Sequence, residues 1–549
     1  MKRISINIYI VAIACFISSC NNTARQADTV YYNGMVYTVD SSFSITQAFA
    51  VEAGKIIATG TNDEMQKYSA KAKIDLQGKY IYPGFIDAHA HFYGYSTDLL
   101  KCNLYGTKSY DEILERVKSF SKTNKFSWLL GRGWDQNDWT VKAFPDKAKL
   151  DSLFPSTPVY LMRVDGHAVL VNQKALDIAH ITTQTKIAGG EIEVRNGKLT
   201  GILIDNAVDI VKKFIPGFPE ELITESLLAG QKNCFAVGLT SVTDAGLDRD
   251  TIEQLDALQK AKKLKIRINA MIIYGEGNKQ FYFKKGKYKT ERLNVSSFKI
   301  YGDGALGSRG ACMLQPYTDK ANHYGFLLYP VSDLRTAVKE IYDNGFQLCT
   351  HGIGDSANRL MLTMYAEVLK QKNDRRWRIE HCQIINENDF DLFGKYSILP
   401  SVQPTHATSD MYWAEERVGK ERMKGAYAYK ELLEQNNLIV NGSDFPVEDI
   451  NPLYGFYAAV VRKDQKNFPA TGFQMENALT REDALKGMTI WAAYSSFEEK
   501  EKGSLEKGKY ADFVILEDDI MKCPDDRLFK IKVLDTYING ERIYHTTGK

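Results

Sequence analysis

The stretch Pro83-Gly84-Phe85-Ile86-Asp87-Ala88-His89-Ala90-His91 decides how this chain is read. An apolar run ends there in two imidazoles at i and i+2, and residues two apart on a strand project from one face. His89 and His91 are therefore placed to grip one metal ion. With 9 His in 549 residues, chance alone supplies about 0.15 pairs at this spacing, so the pair is only mildly unusual. Two partly exposed histidines at a strand end fit the stretch equally well, and the rest of the chain must decide.

Downstream, seven further apolar runs read as strands, at 240–244, 266–271, 297–301, 346–351, 376–381, 398–402 and 438–444. Amphipathic stretches at 332–344, 356–371 and 481–493 read as helices that separate or follow several of them. Strand alternating with helix argues for βα units on a parallel sheet, and eight such units close into a (β/α)8 TIM-like barrel, an α/β fold. Roughly 145 residues separate the first two strands, far more than a βα connection needs. Residues 104–237 are therefore expected to form a large insertion after the first barrel strand. Loops after barrel strands overlie the active face, so this insertion is a candidate lid or substrate wall.

Both ends of the chain look different from its middle. Short strand-like runs at 30–32, 35–39, 48–51 and 55–58 are punctuated by Asn33-Gly34 and Ala53-Gly54, and 511–516, 533–538 and 541–544 repeat the style around Asn539-Gly540. Neither set has enough strands for a stable sheet alone. The expectation is one small β-sandwich domain built from 28–82 plus 500–549, bracketing a barrel domain at 83–499.

Residues able to bind metal recur at the barrel strand ends: His89 and His91 after the first, Lys299 in the fourth, His351 at the fifth, His381 at the sixth and Asp444 at the eighth. In a barrel these ends meet at one mouth. Taken singly, each has an ordinary reading as a core histidine, a turn aspartate or a half-buried lysine. Taken together, they argue for a site.

These motifs resemble the amidohydrolase superfamily, in particular its amidohydrolase-3 or YtcJ-like branch, which includes N-substituted formamide deformylases. The resemblance runs from about residue 28 to the end. It rests on PGFIDAHAHF, FKIYGDGALGSRGA around Lys299, THGIGDSAN at His351, RIEHCQ at His381 and NGSDFPVE at Asp444, with GRGWDQNDW and DGHAVLVNQKAL in the insertion. It implies a split β-sandwich around the barrel and a centre of two divalent metal ions, usually Zn2+, bridged by a CO2-derived carbamate on Lys299. His89, His91, Lys299, His351, His381 and Asp444 would be the ligands. Neutral imidazoles and a carboxylate suit zinc, whereas a protonated lysine has no lone pair to offer. Asp444 would also move the proton as the catalytic group. Trp134, His167, Arg309 and His406 are further candidates for substrate binding, each with a purely structural alternative.

The activity expected is metal-dependent hydrolysis of a C–N bond in a small amide-like substrate of N-acyl or N-formyl type. A lactonase, esterase or deaminase would use nearly the same centre, and an exported binding lipoprotein without turnover is the rival from another class. A formal net charge of +2 gives no electrostatic case for nucleic acid, and 44% hydrophobic with 25% charged residues fits a folded protein. A homo-oligomer stays open.

At the start, Lys2 and Arg3 precede an apolar stretch to Ile17 and then Ser18-Ser19-Cys20. This pattern resembles the lipobox of bacterial lipoproteins, which implies a signal peptide over 1–19, acylation of Cys20, a polar tether over 20–27 and a membrane-anchored protein of the cell envelope, facing the periplasm by default. An ordinary secretory peptide is the alternative. The six cysteines further on form no CxxC pair, and their scatter reads as small buried hydrophobes.

Overall fold

The computed structural model describes residues 25–546, so the expected signal peptide and Cys20 lie outside the described residues. Its centre is a sheet of eight parallel strands: β1 (Phe85–Ala90), β2 (Leu239–Leu247), β3 (Arg267–Ile273), β4 (Leu293–Tyr301), β5 (Gln347–Gly352), β6 (Arg378–His381), β7 (Leu399–Val402) and β8 (Val440–Asn441). Each pairs with the next in chain order. The two edges then meet. Asp444 N–H donates to the His89 carbonyl at 2.7 Å, His91 N–H donates to the Phe445 carbonyl at 2.8 Å, and Ser443 Oγ donates to the Asp87 carboxylate at 2.5 Å. Gly442 makes that approach feasible, because a Cβ there would stand 2.5 Å from the His89 nitrogen. Every one of the eight apolar runs became a barrel strand.

Helices pack on the outside of the sheet. Val331–Asp343 and Asp355–Leu369 form much as the periodicity predicts and pack on the fifth strand. The stretch 481–493 differs, since it forms two helices, Arg481–Gly487 and Ile490–Ser495. Thr489 stands between them in a non-helical conformation, its hydroxyl donating to the Leu485 carbonyl at 2.6 Å, a local bond that competes with the helical ladder.

The chain ends build two further sheets. One holds Lys55–Gly60, Ala48–Glu52, Arg25–Tyr32 and Tyr68–Asp75 in that order; the other runs Glu541–His545, Val533–Ile538, Phe513–Leu516, Tyr80–Pro83, Met35–Tyr37 and Ile45–Thr46. In the second sheet the two ends of the chain pair directly, Phe513–Leu516 running antiparallel to Tyr80–Pro83. Tyr31 stacks on Phe49 at 4.7 Å and meets Phe513 and Tyr537 edge-on at 5.0 and 5.7 Å, so aromatic rings join the two sheets.

Between β1 and β2 the chain forms a fourth sheet in the order Gly190–Arg195, Lys198–Asp205, Ala168–Val171, Val159–Arg163, Leu129–Trp134 and Cys102–Asn103. It has its own apolar core, in which Trp134, Leu161, Leu170 and Ile202 are fully buried. Of the six cysteines in the described residues, all are free thiols; Cys102, Cys234, Cys349, Cys382 and Cys523 are buried and Cys312 is partly exposed.

Candidate metal centre

The strand ends converge on Asp444. His91 Nε2 lies 3.2 Å from Asp444 Oδ1, His89 Nε2 lies 3.7 Å from the same oxygen, and His406 Nε2 lies 3.7 Å from Oδ2. The contact with His91 is close but poorly aligned, so Asp444 Oδ1 has no hydrogen-bond partner among the described residues, and neither has His406 Nε2. Leaving a buried carboxylate oxygen and buried ring nitrogens facing each other unpaired is costly, and a cation between them removes the cost. Two sets of donors meet the need, His89, His91 and Asp444, and His381, His406 and Asp444, with the donor atoms of each set within 4.8 Å of one another. Lys299 Nζ joins them 3.4 Å from His89 Nε2. The residues present therefore fit a centre for one or more divalent ions.

Partners behind the ligands set their chemistry. His89 Nδ1 is 2.5 Å from Glu380 Oε2, so it carries the proton and leaves Nε2 with its lone pair. Burial and the Lys299 charge push His89 down to about 4, which keeps it neutral. Glu380 stays ionised well below the usual carboxylate range despite its burial, because Arg378 and His89 face it. Arg378 also donates to the Ala88 carbonyl at 2.7 Å and to Ser401 Oγ at 2.8 Å, which ties β6 to β1 and β7 inside the barrel. His381 Nδ1 is held by Gln403 Oε1 at 2.8 Å. Burial works against charge on Asp444, but His91, His89 and His381 outweigh it and keep its carboxyl well below the ordinary range. Burial pushes the Lys299 amine down. His381 and Asp444 both adopt left-handed backbone, with φ of 74° and 63°. Such non-glycine conformations cost about 1–3 kcal/mol each and are a mark of functional sites.

His351 borders the cluster, its ring 4.6 Å from that of His381, while its Nε2 points to the Gly304 carbonyl at 3.3 Å. It stands outside both donor sets, whereas His406, expected only as a substrate contact, belongs to one. The insertion closes over this face. His167 Nδ1 lies 2.5 Å from Asp205 Oδ1, and its ring is 5.1 Å from His351. The glycines of GDGALGSRGA make room for that pair, because a Cβ on Gly304 or Gly310 would stand 2.3 or 2.2 Å from Asp205 Oδ2. Two substrate candidates have structural partners of their own. Trp134 spends its indole N–H on the Leu161 carbonyl at 2.8 Å and packs against Trp139 in the insertion core. Arg309 makes a two-pronged pair with Asp319 at 2.7 and 3.1 Å, a structural tie. Glu380, Arg378, Gln403 and Asp205 were not expected from sequence, although Glu380 stands beside His381 in RIEHCQ.

A parallel barrel that gathers histidines, a buried lysine and an aspartate at its C-terminal mouth defines a class of metal-dependent hydrolases, and the match to a family model agrees. The model described as "Amidohydrolase family" covers residues 72–544, and the chain belongs to that family. YtcJ of Bacillus subtilis (strain 168) is 31% identical over 528 residues, spanning 94% of this chain and 99% of that one. The N-substituted formamide deformylase of Arthrobacter pascens is 27% identical across 95% of this chain and 99% of its own. Among solved structures, an uncharacterized metal-dependent hydrolase from Pyrococcus horikoshii OT3 superposes with a TM-score of 0.74 at 25% identity, covering 90% of this chain and 99% of that one.

Proposed function

We propose that the protein hydrolyses the C–N bond of a small amide-like molecule of N-acyl or N-formyl type. The observation that carries this reading is Asp444, a buried carboxylate shared by two sets of imidazole donors, with one oxygen left without a hydrogen-bond partner among the described residues. His89, His91, Lys299, His351, His381, His406 and Asp444 would hold two divalent ions, of which zinc suits the donors best. Ions bound there supply Lewis acidity, lowering the pKa of water and polarising the scissile carbonyl. Asp444, kept ionised by the histidines around it, accepts the proton of the attacking water and delivers it to the departing nitrogen. Lys299, whose amine burial pushes down, would carry the CO2-derived carbamate and with it supply an anion among the donors, the amine proton being released. His167, oriented by Asp205, faces the substrate from the insertion. The name of the Arthrobacter relative supports an amide-type substrate over an ester or an amine. We also propose that acylated Cys20 anchors the protein to the cell envelope, on the periplasmic side.

The test is a panel of N-formylamines, N-acyl amino acids, lactones and aminopurines, run with metal analysis on the parent and on Lys299→Ala. Turnover confined to the amides, with metal and activity both lost in the variant, is the expected result. Preferential turnover of lactones or aminopurines would replace the amide reading, and bound metal with no turnover on any compound would favour a binding protein.

A further inference from the structure

We infer that Arg132 is a recognition point for a carboxylate carried by the substrate, so that this chain favours amides bearing an acid group. The word substrate rests on the hydrolase reading above; the anion site itself rests only on the arrangement of the insertion.

Arg132 lies in Leu129–Trp134, the insertion strand that carries GRGW. Its Nε donates to Tyr105 Oη at 3.2 Å and one terminal nitrogen donates to the Val164 carbonyl at 3.2 Å. A guanidinium has five N–H donors, and these two bonds leave about three without a partner among the described residues. The side chain keeps 17% of its surface accessible, so the guanidinium is not sealed in the insertion core. The location follows from a chain of contacts. Tyr105 Oη donates in turn to the Pro446 carbonyl at 2.6 Å, two residues beyond Asp444. On the other side, Arg132 lines Gly166, where a Cβ would come within 3.4 Å of the guanidinium, and Gly166 precedes His167. Arg132 therefore spans from the β8 loop to the residue whose ring adjoins His351.

Asp98 is shared between two cations. Asp98 Oδ2 is 3.2 Å from Arg132 Nε, but Asp98 also binds Lys101 at 2.7 Å, so the three residues together carry one net positive charge. Burial works against the guanidinium charge, while Asp98, Tyr105 and Asp444 work for it. A fixed planar cation with free paired donors matches a carboxylate in two-pronged fashion, which lysine cannot reproduce. Tyr105 and Val164 hold the plane, so little side-chain freedom is lost on binding.

The test compares N-formylphenylalanine with N-formyl-2-phenylethylamine, which differ by the carboxylate alone, in the parent, in Arg132→Lys and in the pair Arg132→Gln with Asp98→Asn. The paired variant removes the cation without leaving a buried anion behind. Calorimetric binding of 3-phenylpropionate to each metal-loaded protein gives a readout independent of turnover. Expected is a fall of about tenfold or more in the ratio of kcat/KM for the acid over the neutral formamide, with a similar weakening of 3-phenylpropionate, and a smaller fall for the lysine variant. A ratio and an affinity both within about threefold of the parent, or equal losses on both formamides, overturn the inference. If the parent cleaves neither formamide, these two compounds are not its substrates and the anion site stands or falls on the calorimetry.

Discussion

Glu380 shows how a single side chain governs the centre from behind a ligand, without offering a donor itself. A carboxylate without a partner inside a barrel is among the costliest groups to bury. Glu380 avoids that by facing Arg378 at 2.7 Å and His89 at 2.5 Å, and in doing so it fixes which nitrogen of His89 is free. Glu380→Gln keeps the size and removes the charge that holds the proton on Nδ1. Metal affinity, read by competition with a chelator, should weaken about 10–100-fold, the usual consequence of losing the partner behind a ligating histidine. Unchanged affinity would show that Glu380 serves Arg378 alone. The residues of the centre were legible in sequence only where local spacing exposed them. His89 and His91 announce themselves as a pair, and Asp444 and His381 end apolar runs. The partners were not legible for a physical reason. His167 and Asp205 are 38 positions apart and meet only because the insertion folds into a sheet, and His406, expected only as a substrate contact, shows its place beside Asp444 only in the fold. A signal for Glu380 was present, since Arg378 and Glu380 alternate on one face of a buried strand, where paired charges are the rule.

At the scale of elements, apolar runs found every barrel strand because strands buried on both faces read as nearly continuous hydrophobic sequence. The insertion gave no such signal. Its strands are short or mixed, its turns are varied, and its sheet is part parallel and part antiparallel, so periodicity had nothing regular to follow. How the barrel meets the sheet from the chain ends was equally hidden, because it joins residues far apart in sequence, among them a buried ion pair. Arg267, at the start of β3, donates to Asp512 at 2.6 and 3.0 Å and to Asn539 at 2.5 Å, with its guanidinium 3.9 Å from the Tyr510 ring centroid. Arg267→Ala would leave Asp512 buried and unpaired, and breaking such a pair costs about 3–5 kcal/mol. Chemical denaturation followed by tryptophan fluorescence should report a loss of that order, with Arg267→Met combined with Asp512→Leu losing much less. A loss below about 1 kcal/mol in the single variant would mean that solvent reaches Asp512 and that the joint lies elsewhere.

For the whole molecule, the question is what holds it where it works. No helix among the described residues is long and apolar enough to cross a membrane, and a net charge of +2 over 549 residues offers little attraction to an anionic bilayer. Attachment in our reading falls to Cys20 and its acyl chains, since more than one chain is needed for a stable anchor. The first described strand, Arg25–Tyr32, begins five positions later and is paired along its length with Tyr68–Asp75. Five residues span at most about 17 Å when fully extended, so the sheet of the chain ends would ride close to the lipid surface. Cys20→Ser removes the only thiol that the lipobox offers for acylation. In cells expressing the full chain, that variant is expected to leave the membrane fraction or to persist as an uncleaved precursor, while the parent stays with the membranes and incorporates a labelled fatty acid. Equal membrane association and equal lipid label in the two proteins would rule out Cys20 and leave a secreted body with some other attachment.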